Sequence, residues 1–252
     1  MEIEKDIILY NSDCFDIFPK IEDKSIDLFI LDLPYSTKLW GKTTACKWDE
    51  VIDLEEMWKH IKRIMKPNAL IVFFCNVKFG YCLIHSNPKW FKYDLIYKKS
   101  KKVGFLNSNR APLRQHENIY VFKDKQGTYN PQKTEGKPYI DKRNRTKTNA
   151  YGKITENYIV ENKGDRHPTS ILEYKNPNKT IHRTQKPVEL LEWLIKTYSN
   201  EEDTIMDFTM GSGTCGIACM NTKRKFIGVE MDKEIFELTK NRFEEHKKKI
   251  KK

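Results

Sequence analysis

No apolar run in the sequence approaches the roughly 20 residues needed to cross a bilayer. The first residues, Met1-Glu2-Ile3-Glu4-Lys5-Asp6, are charged where a secretory leader carries an apolar core. Both absences predict a soluble, cytoplasmic chain with no membrane partner. Cysteine is sparse and scattered: Cys14, Cys46, Cys75, Cys82, Cys215 and Cys219 form no Cys-x-x-Cys pair. No His/Cys cluster has ligand spacing, which argues against a zinc site. Cysteines inside apolar runs, such as Val72-Phe73-Phe74-Cys75, read as reduced and buried.

Apolar residues are also few, at 38%, against 32% charged. A chain of 252 residues is nonetheless long enough to bury one core and carry an insertion. The net charge of +11 favours a polyanionic partner, although a generally Lys-rich composition gives the same number.

The first half alternates strand and helix signals. Ile7 to Tyr10 reads as a strand, as does Ser25 to Leu31, whose continuous apolar run suits a parallel strand buried on both faces. A helix is predicted from Leu54 to Met65, with Lys66-Pro67-Asn68 as its stop. Ala69 to Cys75, Phe91 to Tyr97 and Asn118 to Phe122 read as further strands. Lys98, Lys99, Lys101 and Lys102 could serve a phosphate-binding face. Arg110, Arg114, Gln115 and His116 read as a loop before the last of these strands, either touching a polyanion or merely polar.

From Asp124 to Thr180 the composition shifts. Twelve Lys/Arg face seven Asp/Glu, and five tyrosines are interspersed: Tyr129, Tyr139, Tyr151, Tyr158 and Tyr174. The apolar residues are too few for an independent core. The stretch reads equally as a surface insertion or as a substrate-contacting one, with cations for phosphates and aromatics for bases. Regular structure returns with helices predicted at 187–198, 213–221 and 233–247, and strands at 204–207 and 226–230. The last seven residues, five of them lysine, read as a solvated tail.

Two constellations carry chemistry. Asp207-Phe208-Thr209-Met210-Gly211-Ser212-Gly213-Thr214 follows a strand and opens a helix, so glycines permit a tight turn and close backbone approach to a ligand. Glu230 ends the next strand, where a carboxylate can accept from both hydroxyls of a ribose. The string Gly211 to Gly216 also matches the dinucleotide fingerprint. However, a dinucleotide fold needs further strand–helix units after it, and only 22 residues follow Glu230. The remaining strands must come from earlier in the chain, a permuted arrangement that argues against a nicotinamide enzyme. The second constellation, Asp32-Leu33-Pro34-Tyr35, ends a buried strand and should face the same crevice. The Asp32 carboxylate and the Leu33 carbonyl can accept from an amino group, Pro34 stiffens the turn, and the Tyr35 ring can stack on a planar base.

The order of these motifs resembles the permuted, beta-group amino methyltransferases of DNA. A D-P-P-Y-type motif comes first, then a recognition insertion, then Thr184-Gln185-Lys186-Pro187-Val188-Glu189-Leu190 and the glycine turn. Two departures are Leu33 in place of the first proline, and Thr209-Met210 before the glycines. The resemblance covers nearly the whole chain. It implies a Rossmann-like, circularly permuted α/β fold with a mostly parallel sheet and helices on both faces. It divides the chain into a catalytic half (1–123), a target-recognition insertion (124–180) and a cofactor half (181–252). It implies S-adenosylmethionine as cofactor and duplex DNA as partner, and leaves a homodimer and a cognate restriction nuclease open. Asp32 and the Leu33 carbonyl would accept from the target amino group, and Tyr35 would stack on the flipped base. Asp13 would lie near the cofactor adenine, and Glu230 would hold its ribose. Gly211, Gly213, Asp207 and Phe208 would line its methionine portion, with Thr184 and Lys186 near its carboxylate. Asp at the first catalytic position accompanies N6-adenine in this family, where Ser or Thr accompanies N4-cytosine. Cytosine C5 chemistry is disfavoured, because no Pro-Cys pair supplies the usual nucleophile. An RNA methyltransferase and a non-catalytic nucleic-acid-binding module are the competing readings.

Overall fold

The computed structural model describes residues 2–4, 6–42, 50–143, 158–178, 180–182 and 184–250. Cys46, Tyr151 and Arg183 lie outside them.

The larger of two compact units comprises 1–130 and 170–252. Its strands are β1 (Glu2–Glu4), β2 (Ile7–Asn11), β3 (Ile26–Leu31), β4 (Met65–Cys75), β5 (Phe91–Val103) and β6 (Arg114–Phe122). After the insertion, which carries β7 to β10, come β11 (Ile171–Tyr174), β12 (Thr204–Asp207) and β13 (Lys225–Glu230). The helices are α1 (Cys14–Ile17), α2 (Leu54–Ile64), α3 (Val77–Ser86), α4 (Val188–Tyr198), α5 (Thr214–Asn221) and α6 (Lys233–Ile250). Among the described residues, nine strands form one sheet in the order β1-β2-β13-β12-β3-β4-β6-β5-β11. Strands β2, β13, β12, β3 and β4 are mutually parallel, while β6 is antiparallel to both β4 and β5.

The last two strands of the chain therefore sit at the centre, between β2 and β3. This is the permuted arrangement that the motif order predicts. From β3 the sheet grows one way through β4. From β12 it grows the other way through β13. The β3/β12 boundary is thus where strand order reverses, and ligands of open α/β sheets bind outside the carboxyl ends at such a point.

Strand alternation divides the core. Leu28 and Ile30 of β3 and Leu70, Val72 and Phe74 of β4 face one apolar cluster, together with Leu190, Leu194 and Phe243 from α4 and α6. Phe29, Leu31, Ile71 and Phe73 face the other, with Met57 and Ile61 of α2 and Phe79 and Leu83 of α3. Helices thus cover both faces. Asp53 caps α2 by accepting from the Glu56 amide at 3.1 Å, and Lys62 and Arg63 occupy its last turn, as the helix dipole favours.

Several boundaries differ from the sequence expectations. Lys66-Pro67-Asn68 is no gap: Met65 already pairs with Ile26, and the register then shifts so that Leu28 faces Leu70. Pro67 falls in that irregularity, where its missing N–H costs no ladder bond. Helix α3 has no counterpart in the prediction. Its Gly80 allows the Tyr120 ring to come so close that an added Cβ would lie 2.5 Å from it. Arg114, Gln115 and His116 belong to β6 and not to a loop, and β5 runs on through the lysines to Val103. The basic C-terminal residues up to Ile250 continue α6, in place of a free tail.

The second unit is Pro131–Thr169. It holds β7 (Thr134–Glu135) paired with β10 (Asp165–Arg166), and β8 (Tyr139–Arg143) paired with β9 (Tyr158–Asn162). Polar contacts bind it more than apolar burial: the Gly136 amide donates to the Gly164 carbonyl at 2.6 Å, and the Arg166 guanidinium lies 4.9 Å from the Tyr139 ring centre.

Candidate active site

A cavity of about 440 Å³ opens at the carboxyl ends of β2, β13, β12 and β3. Its wall contains Asp13, Asp32, Leu33, Pro34, Tyr35, Thr184, Lys186, Asp207, Phe208, Gly211 and Glu230. Eleven of the twelve residues singled out from the sequence therefore meet at one place. Asp32 follows the last residue of β3 and Asp207 ends the neighbouring β12. The Thr209 hydroxyl reaches the Asp32 carbonyl at 3.5 Å across 177 residues of chain.

Gly213 is the exception. It stands at the N-terminus of α5 with φ +66°, and a Cβ there would lie 2.5 Å from both Phe243 and Thr239. Its conformation and its packing against α6 both require glycine, and neither involves the cavity. Gly211 differs: its φ is +48°, and a Cβ would meet no protein atom within 4 Å. The backbone there leaves room for close approach of a ligand. Its amide donates to Glu230 Oε2 at 2.9 Å, and the Asp232 amide donates to Oε1 at 2.8 Å. Glu230 thus fixes the glycine turn while each oxygen keeps a second lone pair for a hydroxyl. Burial raises its carboxyl above the usual range. Asp13 caps α1 by accepting from the Phe15 amide at 2.8 Å, and Ser12 N–H donates to the Glu230 carbonyl at 3.2 Å, so β2 and β13 end side by side.

At the other end, the Tyr35 hydroxyl donates to Asp32 Oδ1 at 2.8 Å, and its ring stacks on Phe79 with centroids 5.5 Å apart. Burial first, and the Asp32 carboxylate second, push this phenol well above its ordinary pKa. Lys186 donates to Asp32 Oδ2, and its ammonium lies 4.8 Å from the centre of the Phe74 ring. Glu117, which the sequence reading missed, lines the same cavity. Its Oε2 lies 3.6 Å from Lys186 Nζ, too long for a hydrogen bond, and its Oε1 is 2.9 Å from Lys99. Burial pulls the Lys186 pKa down, but Asp32 and Glu117 more than offset it and hold the ammonium above its ordinary value. Burial likewise pushes the Glu117 carboxyl up, and Lys186 and Lys99 overcome this, leaving it below the usual range. A signal for Glu117 was present: it is an acid at the head of the apolar run Ile119 to Phe122.

Thr184 lines the cavity with its hydroxyl 2.8 Å from His182 Nδ1. Asp207 is almost wholly buried, and burial pushes its carboxyl up to about 8. Among the described residues, no His/Cys/Asp/Glu group could hold a metal ion. No helix there is long and apolar enough to cross a membrane.

The arrangement offers a paired carboxylate with an aromatic ring at one end of the cavity, and a carboxylate with an open glycine turn at the other. A family model described as DNA methylase, of the N6/N4 methyltransferase type, matches residues 26–241. The chain belongs to this family. This N6/N4 DNA methylase resembles the Type II methyltransferase M.HpaI of Haemophilus parainfluenzae, with 27% identity over 89% of this chain and 70% of the relative. It resembles M1.MboII of Moraxella bovis at 27% identity over 93% and 94% of the two chains. Among solved structures, the M1.HpyAVI–SAM complex aligns with TM-score 0.62 and 26% identity, over 94% of this chain and 99% of that one. The cytosine-N4-specific PvuII DNA methyltransferase aligns with TM-score 0.70 at 15% identity, over 95% and 86%, a likeness of fold alone.

Proposed function

We propose that this DNA methylase transfers the methyl group of S-adenosylmethionine to N6 of adenine in duplex DNA, in the manner of a Type II modification enzyme. The observation that carries the reading is the Asp32–Tyr35 pair, which lies in the same cavity as the Gly211/Glu230 turn. The cavity fits the cofactor: its volume is in the range of small-molecule sites, a carboxylate with spare lone pairs stands where a ribose needs acceptors, and the Gly211 backbone is open to approach. Glu230, Gly211 and Asp13 would hold the nucleoside, with Asp207 and Phe208 alongside. When bound, the cofactor would supply an electrophilic sulfonium methyl for in-line attack by an amino nitrogen, the S–CH3 bond breaking to release S-adenosylhomocysteine and the surplus amino proton passing to solvent.

The chain's own residues do the rest. An amino nitrogen conjugated to a purine is a poor nucleophile. Asp32 and the Leu33 carbonyl accept its hydrogens and favour a localised lone pair. Both Asp32 oxygens already accept one bond each, from Tyr35 and Lys186, and each keeps a second lone pair. Glu117 gives the Lys186 ammonium a second anchorage, so Asp32 is not neutralised by a cation held on it alone. The target base must leave the stack to reach this depth, at a cost of roughly a few kcal/mol. The 131–169 unit, with its cations and tyrosines, would read sequence and hold phosphates. The choice of adenine over cytosine rests on Asp32 and on the family resemblance.

The test is product analysis. Purified protein is incubated with labelled S-adenosylmethionine and unmethylated duplex DNA, the DNA is digested, and the labelled nucleoside is identified by mass. N6-methyladenine is the expected product. N4-methylcytosine would keep the mechanism and overturn the base assignment. Absence of label in DNA would overturn the reading.

A further inference from the structure

The β5–β6 hairpin carries a feature that the cavity chemistry does not use. Asn118 of β6 pairs with Cys75, the last residue of β4, and Ile96 of β5 pairs with Asn118. Residues 98–103 and 114–117 therefore project past the carboxyl edge of β4, the edge on which Asp32 stands. Four extended residues before Asn118 reach about 13 Å beyond it. Glu117, at the base of this projection, lines the cavity. At the tip, Gly104 adopts φ +95° and leads into a 3-10 turn, Phe105–Asn107. Phe105 is 67% exposed and Leu106 is fully exposed.

The hairpin segment that carries them is basic. Between Asp94 and Glu117 there is no acid, and there are six cations: Lys98, Lys99, Lys101, Lys102, Arg110 and Arg114. Lys98 pairs with Glu173 and Lys99 with Glu117, whereas Lys101, Lys102 and Arg110 have no ion-pair partner among the described residues. The stem is braced: β11 runs parallel to β5, and Asn176 accepts from the Lys101 amide at 3.0 Å. Two apolar side chains on a braced, cationic projection suit a polyanion with an apolar interior. Duplex DNA has both properties, and apolar wedges that part base steps are an established way of binding it.

We propose that the hairpin tip is a DNA wedge. Leu106 and Phe105 enter the base stack beside the position from which the target is extruded, and Lys101, Lys102 and Arg110 hold the flanking phosphates. This rests on the DNA-methylating reading above and adds to it the element that opens the duplex.

The modified sequence is first located by sequencing DNA methylated by the wild-type protein. Short duplexes are then made with the target base either normally paired or opposite an abasic residue, where no pair has to be broken. The double variant F105A/L106A touches only exposed side chains, and its fold is checked by circular dichroism. It should lose about tenfold or more in methylation rate on the paired duplex and less than about threefold on the abasic one, because the second substrate arrives already opened. Equal rates for variant and wild type on both duplexes overturn the wedge, as do equal losses on both. If the variant instead dissociates a dimer without changing the paired-to-abasic ratio, the tip is a self-association surface and the wedge falls. Absence of methylation by the wild-type protein itself would overturn the functional reading beneath it, a separate result.

Discussion

Lys186→Met tests the electrostatics of the site directly. The Lys186 side chain is 9% exposed and serves two carboxylates, Asp32 and Glu117, which are 26% and 16% exposed. Methionine nearly fills the same volume, so the variant removes a charge and little packing. Breaking a buried pair by deleting one partner costs about 3–5 kcal/mol. Here Glu117 keeps Lys99 at 2.9 Å, and Asp32 keeps the Tyr35 hydroxyl and some solvent. The expected loss is therefore about 2–3 kcal/mol at pH 8. The pH dependence follows from the direction of the shifts. Glu117 is held below its ordinary value near 4.5, so its stabilisation is present above that pH and is lost as pH falls through the lower folded value. In the variant the folded carboxyl rises, so the difference between the two proteins is full at pH 7–8 and shrinks toward pH 4. Lys186 is raised, so its charge persists across this whole window. Urea unfolding followed by tryptophan fluorescence at pH 8, 6.5 and 5 measures the difference. A K186M protein as stable as wild type at pH 8 would refute the reasoning.

Asp32→Ala should abolish methyl transfer to DNA while calorimetric binding of S-adenosylmethionine stays within about threefold of wild type; equal loss of both would remove the role given to Asp32. Gly213→Ala forces a Cβ to 2.5 Å from Phe243 and Thr239 at φ +66°, so it should cost about 2–4 kcal/mol in urea unfolding, whereas Gly211→Ala should cost about 1 and act mainly on cofactor affinity. Asp207→Asn removes a carboxyl that the fold holds near 8 and the unfolded chain near 3.8. The raised folded value means that wild-type stability falls as pH rises from about 4 to 8, so the variant should be more stable by about 1–3 kcal/mol at pH 8–9 and equal at pH 4, as thermal unfolding across that range will show.

Much of this was written in local sequence. The continuous apolar runs of β3 and β4 reported strands buried on both faces, because each face meets its own helix layer. The order of the motifs, with Asp32 to Tyr35 ahead of the glycine turn, reported the permutation. The two carboxylates of the site were visible because each follows an apolar strand and precedes a turn. What stayed hidden depends on partners far away in the chain. Glu117 looks like an ordinary strand acid until Lys186 and Lys99 are placed beside it. Gly213 looks like a ligand-binding glycine, since a close approach by α6 and one by a cofactor ask for the same residue. The lysines after Tyr97 suppress the strand signal of β5, whose continuation depends on pairing with β6 and β11. Helix α3 was masked by Gly80, which is there for Tyr120.

The same topology couples folding to function. Strand β3 pairs with β4 on one side and β12 on the other, and β2 reaches the rest of the sheet only through β13. Until β12 and β13 insert, β3 is an edge strand with both faces apolar, and β1–β2 is a detached hairpin. Those two strands also bring Asp207, the Gly211 turn and Glu230. The contacts that complete the core and the contacts that complete the cavity are therefore one set, of high sequence separation, and closing them carries a shared loop-closure entropy. A lesion in the turn between β12 and α5, such as Gly213→Ala, should for that reason lower stability and cofactor affinity together, although its side chain would touch only α6.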